Sequence, residues 1–139
     1  MNIIILSHGD YNEGILDSHN MIVGKNKHIY SLSLTDSVLE FREHLDNLVN
    51  ELLLKGKILI LCDLKGGTPY NQILEKKYEY PEKIQVISGM NLPMVIEVSL
   101  MMEQEIDIKT LAESAVNAGK EGIELVEIIE DENADDLNL

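Results

Sequence analysis

Short runs of apolar residues, each the length of a β-strand, alternate along this chain with amphipathic stretches of helical period, and that alternation constrains the fold more than any other feature. Ile3–Leu6 and the apolar part of "KILILC" (57–62) carry no polar residue at all. A strand needs such a run only when both of its faces are covered. Between them, residues 37–54 place Val38, Phe41, Leu45, Leu48, Val49, Leu52 and Leu53 at spacings of three and four, the signature of one buried helix face. Strand–helix–strand alternation with short connections predicts an α/β fold: a doubly wound, mostly parallel sheet with helices on both faces.

The punctuation sharpens the element boundaries. Residues 12–23 read as a helix with Ile15, Leu16, His19 and Ile22 on one side and Gly24 as its stop. His28–Leu32 reads as a short strand. Ser37 and Glu40 fit a capping box ahead of the long helix, and Gly56 ends it. Asp63 to Thr68 is a loop, and Pro69 suits the first turn of the next helix. Lys83–Ile87 is a further strand, followed by a helix from Leu92 or Pro93 to about Met102 and another over 107–119. "IELVEII" (123–129) has an ambiguous period and is taken as a last strand.

At 139 residues the chain has the size of one domain, long enough for a single solid core. Residues 1–128 are assigned to that domain, and 129–139 to an acidic tail without fixed structure, since "EDENADDLNL" is poor in bulky apolar groups. The chain has no stretch of about 20 apolar residues, the length that spans a bilayer, and no secretory signal is expected. One cysteine, Cys62, lies inside an apolar run, where it reads as core packing. A lone cysteine fits a reducing cytoplasm. The net charge of −14, from 11 basic and 25 acidic residues, argues against nucleic acid and anionic membranes as partners and favours basic faces on other proteins.

Three loops leave the carboxyl ends of three strands and should converge on one edge of the sheet: Ser7-His8-Gly9-Asp10, "DLKGGTPYN" (63–71) and "SGMNLPM" (88–94). His8 stands at the tip of the first strand, where a neutral imidazole is a competent nucleophile. Asp63, at the tip of a neighbouring strand, is placed to accept the imidazole N–H and fix its tautomer. On spacing alone the alternative stays open that His8 and Asp63 each cap their own loop. Gly66-Gly67-Thr68-Pro69 precedes a helix whose N-terminal amides make an anion site. Thr68 is available either to cap that helix or to offer its hydroxyl, and an ordinary turn before a helix is the competing reading. Gly9, Gly66, Gly67 and Thr68 are the candidate phosphate-binding residues, His8 and Asp63 the candidate catalytic pair. Together they suggest phosphoryl transfer through a phosphohistidine, with no cofactor and no metal. There is neither a Walker pattern nor a GxGxxG fingerprint, and His19, His28 and His44 read as structural or surface residues.

Taken together, "SHG" after the first strand, "DLKGGTPYN" after the third and "SGMNLPM" after the fourth resemble the EIIA component of the mannose family of the bacterial phosphoenolpyruvate-dependent sugar phosphotransferase system. The resemblance runs from Met1 to about Glu127. It implies that His8 is phosphorylated by the small carrier HPr and passes the group to a histidine on a IIB component, which serves sugar uptake through a membrane IIC/IID pair. It implies that Asp63 holds the imidazole and that Gly66, Gly67 and Thr68 form the loop beside it, where relatives often have Ser in place of Thr68. It further implies a homodimer formed by exchange of the C-terminal strand, and a cytoplasmic location. Because no IIB domain follows before Leu139, the IIB partner is expected to be a separate protein. The chain departs from some relatives in having Leu64 and Lys65 where they carry a Trp near the glycine pair. Lys65 then either helps hold phosphate, alters IIB docking or is simply a solvated loop lysine, and Asp10 adds a negative charge near His8. Two other readings remain: the phosphotransfer subunit of dihydroxyacetone kinase, which differs in the loop matching "LKGGTP", and a non-catalytic flavodoxin-like regulatory module.

Overall fold

The structure, a computed structural model, describes residues 1–129; the expected acidic tail lies almost wholly outside them. Four strands form one sheet: β1 (Asn2–His8), β2 (Ile29–Leu34), β3 (Ile58–Cys62) and β4 (Ile84–Ser88). Their spatial order is β2-β1-β3-β4, and all three pairings are parallel. Five helices connect them or follow them: α1 (Tyr11–Val23), α2 (Val38–Leu53), α3 (Thr68–Glu79), α4 (Leu92–Met101) and α5 (Ile108–Glu121).

Strand alternation explains why the central runs Ile3–Leu6 of β1 and Ile58–Cys62 of β3 are wholly apolar. Ile3 and Ile5 face one side with Leu59 and Leu61, and there they meet Ile15 and Leu16 of α1, Val95 and Val98 of α4 and Leu111 and Ala115 of α5. Ile4 and Leu6 face the other side with Ile58, Ile60 and Cys62, packed against Phe41, Leu45, Val49 and Leu52 of α2 and Ile73 of α3. The molecule is therefore a three-layer sandwich with the sheet in the middle, as the doubly wound expectation requires. Cys62 is wholly buried in the second core, and burial raises its thiol to about 12, so it stays a packed, protonated thiol.

Local chemistry sets the helix starts. The Ser37 hydroxyl accepts the Glu40 N–H at 3.2 Å, the capping interaction read from the sequence. Asp107 and Asn91 do the same for α5 and α4, accepting from Thr110 and Met94. Some boundaries and one helix face differ from expectation. The second strand begins at Ile29, one residue after His28. Helix α3 begins at Thr68, which puts Pro69 second and makes Gly67 the cap, so the Thr68 side chain does not cap the helix. Ile22, expected on the inner side of α1, is exposed, while His19 on the same helix is fully buried.

The largest departure is at the C-terminus. Residues 123–129 form no strand in this chain, and Ile123, Leu125, Val126, Ile128 and Ile129 are all exposed. A lone strand has no partner to satisfy its backbone, so an apolar pattern is not enough to fold one. Among the described residues, β4 pairs with β3 alone and so forms an edge of the sheet. A groove of about 520 Å³ runs beside it, where Val86 and Ile87 of β4 and Ala112 and Val116 of α5 share the lining with the polar Gln85, Lys109, Glu113 and Asn117.

The two cores set an expectation for stability. Leu45, 1% exposed, should cost about 2–5 kcal/mol when cut to Ala, read as a lower urea midpoint. Leu39, on the outer face of the same helix at 66% exposure, should change stability by no more than about 0.5 kcal/mol. Equal losses at the two positions would contradict the assignment of the α2 faces.

Candidate functional site

The chain leaves β1 for β2 on one side and later returns to place β3 on the other. The crevice between the tips of β1 and β3 is thus the switch point of the sheet, where α/β proteins of this topology place their ligands. His8 is the last residue of β1, and Asp63 follows β3 directly.

The two side chains meet there. His8 Nδ1 lies 2.8 Å from Asp63 Oδ2, and the same oxygen accepts the His8 backbone N–H at 2.9 Å. One carboxylate oxygen therefore fixes both the backbone and the ring of a single residue. Burial of Asp63 works to raise its pKa, but the bonds from the His8 N–H and ring, the His8 charge and the nearby Leu64 N–H outweigh it, and the carboxyl sits below its usual range. An ionised carboxylate has only lone pairs to offer, so Nδ1 carries the proton in this pair. Asp63 Oδ1 is buried without a hydrogen-bond partner. The Asp63 side chain is 13% exposed and that of His8 46%, so the ring is held from below and open from above.

The remaining ring nitrogen faces the glycine loop. A Cβ placed on Gly67 would lie 2.7 Å from His8 Cε1 and 3.5 Å from Nε2, so the Cε1–Nε2 edge of the ring rests against Gly67, at the N-terminus of α3. Helix geometry leaves the first N–H groups of α3 without partners inside the helix. Gly67 gives its own N–H to the Leu64 carbonyl at 3.1 Å, and Pro69 has none. The Thr68 and Tyr70 amides remain, along with the Thr68 hydroxyl, and the helix dipole adds a positive field at the same place. Gly66, at φ +78°, makes the turn, and its carbonyl accepts from Asn71 Nδ2. Gly9, expected among the phosphate ligands, has its N–H committed to the Leu34 carbonyl at 2.8 Å. It supplies a turn at φ +54° and offers no free amide.

Sequence reasoning missed the scaffold under the histidine. Asp10 is the formal cap of α1, yet its side chain makes no capping bond. The fully buried Ser7 hydroxyl takes that place, accepting the Asn12 N–H at 2.9 Å and lying 3.3 Å from the Gly9 carbonyl to which it donates. Asn12, also fully buried, accepts from the Ser33 hydroxyl at 2.7 Å and so ties the loop to β2. The Tyr11 hydroxyl donates to the Met90 carbonyl at 2.7 Å and joins the first loop to the third. The only sequence signal was a pair of small polar residues flanking a histidine, which is common in loops. His19, His28 and His44 lie away from this crevice: His19 is buried in α1, while His28 and His44 are exposed. Among the described residues, no three His, Cys, Asp or Glu side chains gather as a metal-binding group. No helix there is long and apolar enough to cross a membrane.

Comparison with known proteins agrees with this geometry. Residues 2–116 match the model of the EIIA-man family, described as the PTS system fructose IIA component. The fructose-specific EIIA component of Bacillus subtilis is 26% identical over 113 residues, 80% of this chain and 76% of that protein. The mannose-specific EIIAB component of Escherichia coli K12 is 29% identical over 128 residues; the match takes in 87% of this chain but only 38% of that protein. Among solved structures, the phosphotransferase system component EIIA of Streptococcus agalactiae superposes with a TM-score of 0.80 at 32% identity, covering 89% of this chain and 95% of the other. The mannose/sorbose-specific IIA subunit of Enterococcus faecalis gives 0.77 at 30% identity, covering 93% and 96%. With its family model matched over most of its length and its closely superposing neighbours drawn from the same group, the chain belongs to the EIIA family of the mannose type, a component of the sugar phosphotransferase system.

Proposed function

We propose that this protein is the phosphocarrier of its system, accepting a phosphoryl group from HPr on His8 Nε2 and passing it to a histidine of a separate IIB protein. The observation that carries the reading is the shared Asp63 oxygen: it occupies Nδ1 and leaves Nε2 as the nucleophile, beside Gly67 at the N-terminus of α3. In the forward step the Nε2 lone pair attacks phosphorus in line with the donor's bond. An N–P bond forms as the donor's bond to phosphorus breaks, and the electron pair leaves with the donor. The ring gains positive character, which the Nδ1–H···Oδ2 contact to a carboxylate stabilises, a bond worth about 1.5–3 kcal/mol. The Thr68 and Tyr70 N–H groups and the α3 dipole receive the phosphoryl oxygens. Transfer to IIB reverses the same geometry, so the protein's work is positioning and electrostatics. Gly66 and Gly67 shape this pocket, and Gly9 supports the loop below it. The half-exposed ring suits a reaction between two protein surfaces, one at a time.

We also propose that the exposed 123–129 segment completes the molecule as a strand exchanged between two copies. The segment that follows α5 holds five large apolar side chains in solvent, and β4 offers an edge whose groove against α5 includes Val86, Ile87, Ala112 and Val116. Either half of that arrangement alone is a liability, and pairing them satisfies both the backbone edge and the apolar surface.

Incubation with phosphoenolpyruvate and the upstream carriers should label the protein, and His8→Ala should abolish the label; a variant that labels normally would end the proposal. Asp63→Asn keeps the shape but loses the charge, and should slow transfer by about tenfold to a hundredfold. Since the folded Asp63 pKa is depressed, the carboxylate's contribution is fully present above the ordinary carboxyl range and is lost as pH falls through the lowered value. The stability gap between the native protein and Asp63→Asn, read from urea midpoints, should therefore hold above the ordinary carboxyl range and close as pH falls through the lowered value. Sedimentation should show that a chain ending at Gly122 is a monomer; a dimer of unchanged affinity would remove the strand-exchange proposal.

A further inference from the structure

The two glycines of the loop serve different ends. At Gly66 the backbone itself demands glycine: φ is +78°, and a side chain there would meet open space. At Gly67 the reverse holds. Its φ of −70° and ψ of 166° are ordinary extended values, open to any residue. It is also the cap of α3, a position where Ser, Thr, Asn or Asp would ordinarily be preferred. Neither backbone conformation nor capping calls for glycine, so its presence is explained by what surrounds it. A Cβ at Gly67 would stand 2.7 Å from His8 Cε1, closer than real Cβ atoms come to a neighbour, and 3.3 Å from the Leu64 carbonyl oxygen, which is tight but tolerable with a small shift.

We infer that Gly67 is a positioning residue for the His8 imidazole, its bare Cα forming the wall against which the ring is held on Asp63. This rests on the phosphocarrier reading for its effect on transfer, but the geometry stands without it. The ring has Asp63 at Nδ1 and Gly67 at the adjoining Cε1–Nε2 edge. Any side chain at position 67 pushes the imidazole, which at 46% exposure has solvent to move into at the cost of its Asp63 bond, while the backbone of α3 is anchored. Outward motion lengthens the Nδ1–Asp63 contact and carries Nε2 away from Gly67 and the N-terminus of α3. A misplacement of about an ångström at a reacting atom costs about a hundredfold in rate. The wall also restricts the ring to one side of the crevice, so the tautomer chosen by Asp63 and the direction of Nε2 are set together.

The test uses Gly67→Ser and Gly67→Ala in the full chain. Phosphoryl acceptance should fall by about a hundredfold in both. Nitrogen NMR of the His8 ring should change from a single Nδ1–H form in the native protein to a mixture of tautomers in the variants, a signature that a simple loss of helix stability does not produce. Thermal unfolding supplies the third readout. Gly67→Ser should lower the melting temperature of the native background but leave it unchanged or raised in a His8→Ala background, where the clash is gone and the new hydroxyl can cap α3. Equal destabilisation in both backgrounds would assign the constraint to the Leu64 carbonyl and overturn the inference. So would variants that keep the native rate and the single tautomer. If the native protein itself accepts no phosphate, the transfer reading fails, while the tautomer and the stability cycle still decide the role of Gly67.

Discussion

Everything at this sheet edge depends on one carboxylate oxygen accepting two hydrogen bonds from one residue. Asp63 Oδ2 holds the His8 backbone N–H and its ring Nδ1 within 2.9 Å, so the end of β1 and the imidazole cannot move independently. A histidine at a strand tip would otherwise sample several rotamers and both tautomers. The bond works because Asp63 stays ionised. Burial opposes that state, and the His8 contacts overcome the burial, so the pair stabilises its own charge distribution. Neither residue has this character alone.

The fold delivers the two residues to the same place through its winding. Because β1 and β3 are parallel neighbours, their carboxyl ends coincide, and the order β2-β1-β3-β4 puts the direction change between them. The same winding starts α1 and α3 at that edge. Helix α3 then supplies amides, and α1 supplies Asn12, which links Ser7 of β1 to Ser33 of β2 and braces the histidine loop from behind. An apolar sheet with cores on both faces gives the rigidity on which such placement depends. The chemistry is held on the ends of elements that the hydrophobic effect has already fixed.

Much of this was legible in the sequence because it is written in periods. The all-apolar runs at Ile3–Leu6 and Ile58–Cys62 have one physical explanation, burial on both faces, and the structure has that arrangement. The helix over 38–53 declared itself through its apolar spacing and Ser37. His8 and Asp63 were readable as candidates from their places at strand ends, but their contact is a matter of strand order, which no local pattern carries. What the sequence did not reveal was the division of labour in the loops. Gly9 and Gly67 looked alike as amides for an anion, and the structure shows both N–H groups committed to carbonyls of Leu34 and Leu64. Ser7 and Asn12 were invisible because a buried polar network depends on three-dimensional closure. Residues 123–129 had a strand's composition, but strand formation needs a second edge to pair with, and within one chain that edge is not reached.

The most direct test of the central claim is the position of the phosphate on the ring. After incubation with phosphoenolpyruvate and the upstream carriers, nitrogen–phosphorus coupling in the labelled protein identifies the bonded nitrogen of His8. The account requires phosphorus on Nε2, with Nδ1 still protonated against Asp63. Phosphorus on Nδ1, or on a histidine other than His8, would contradict it.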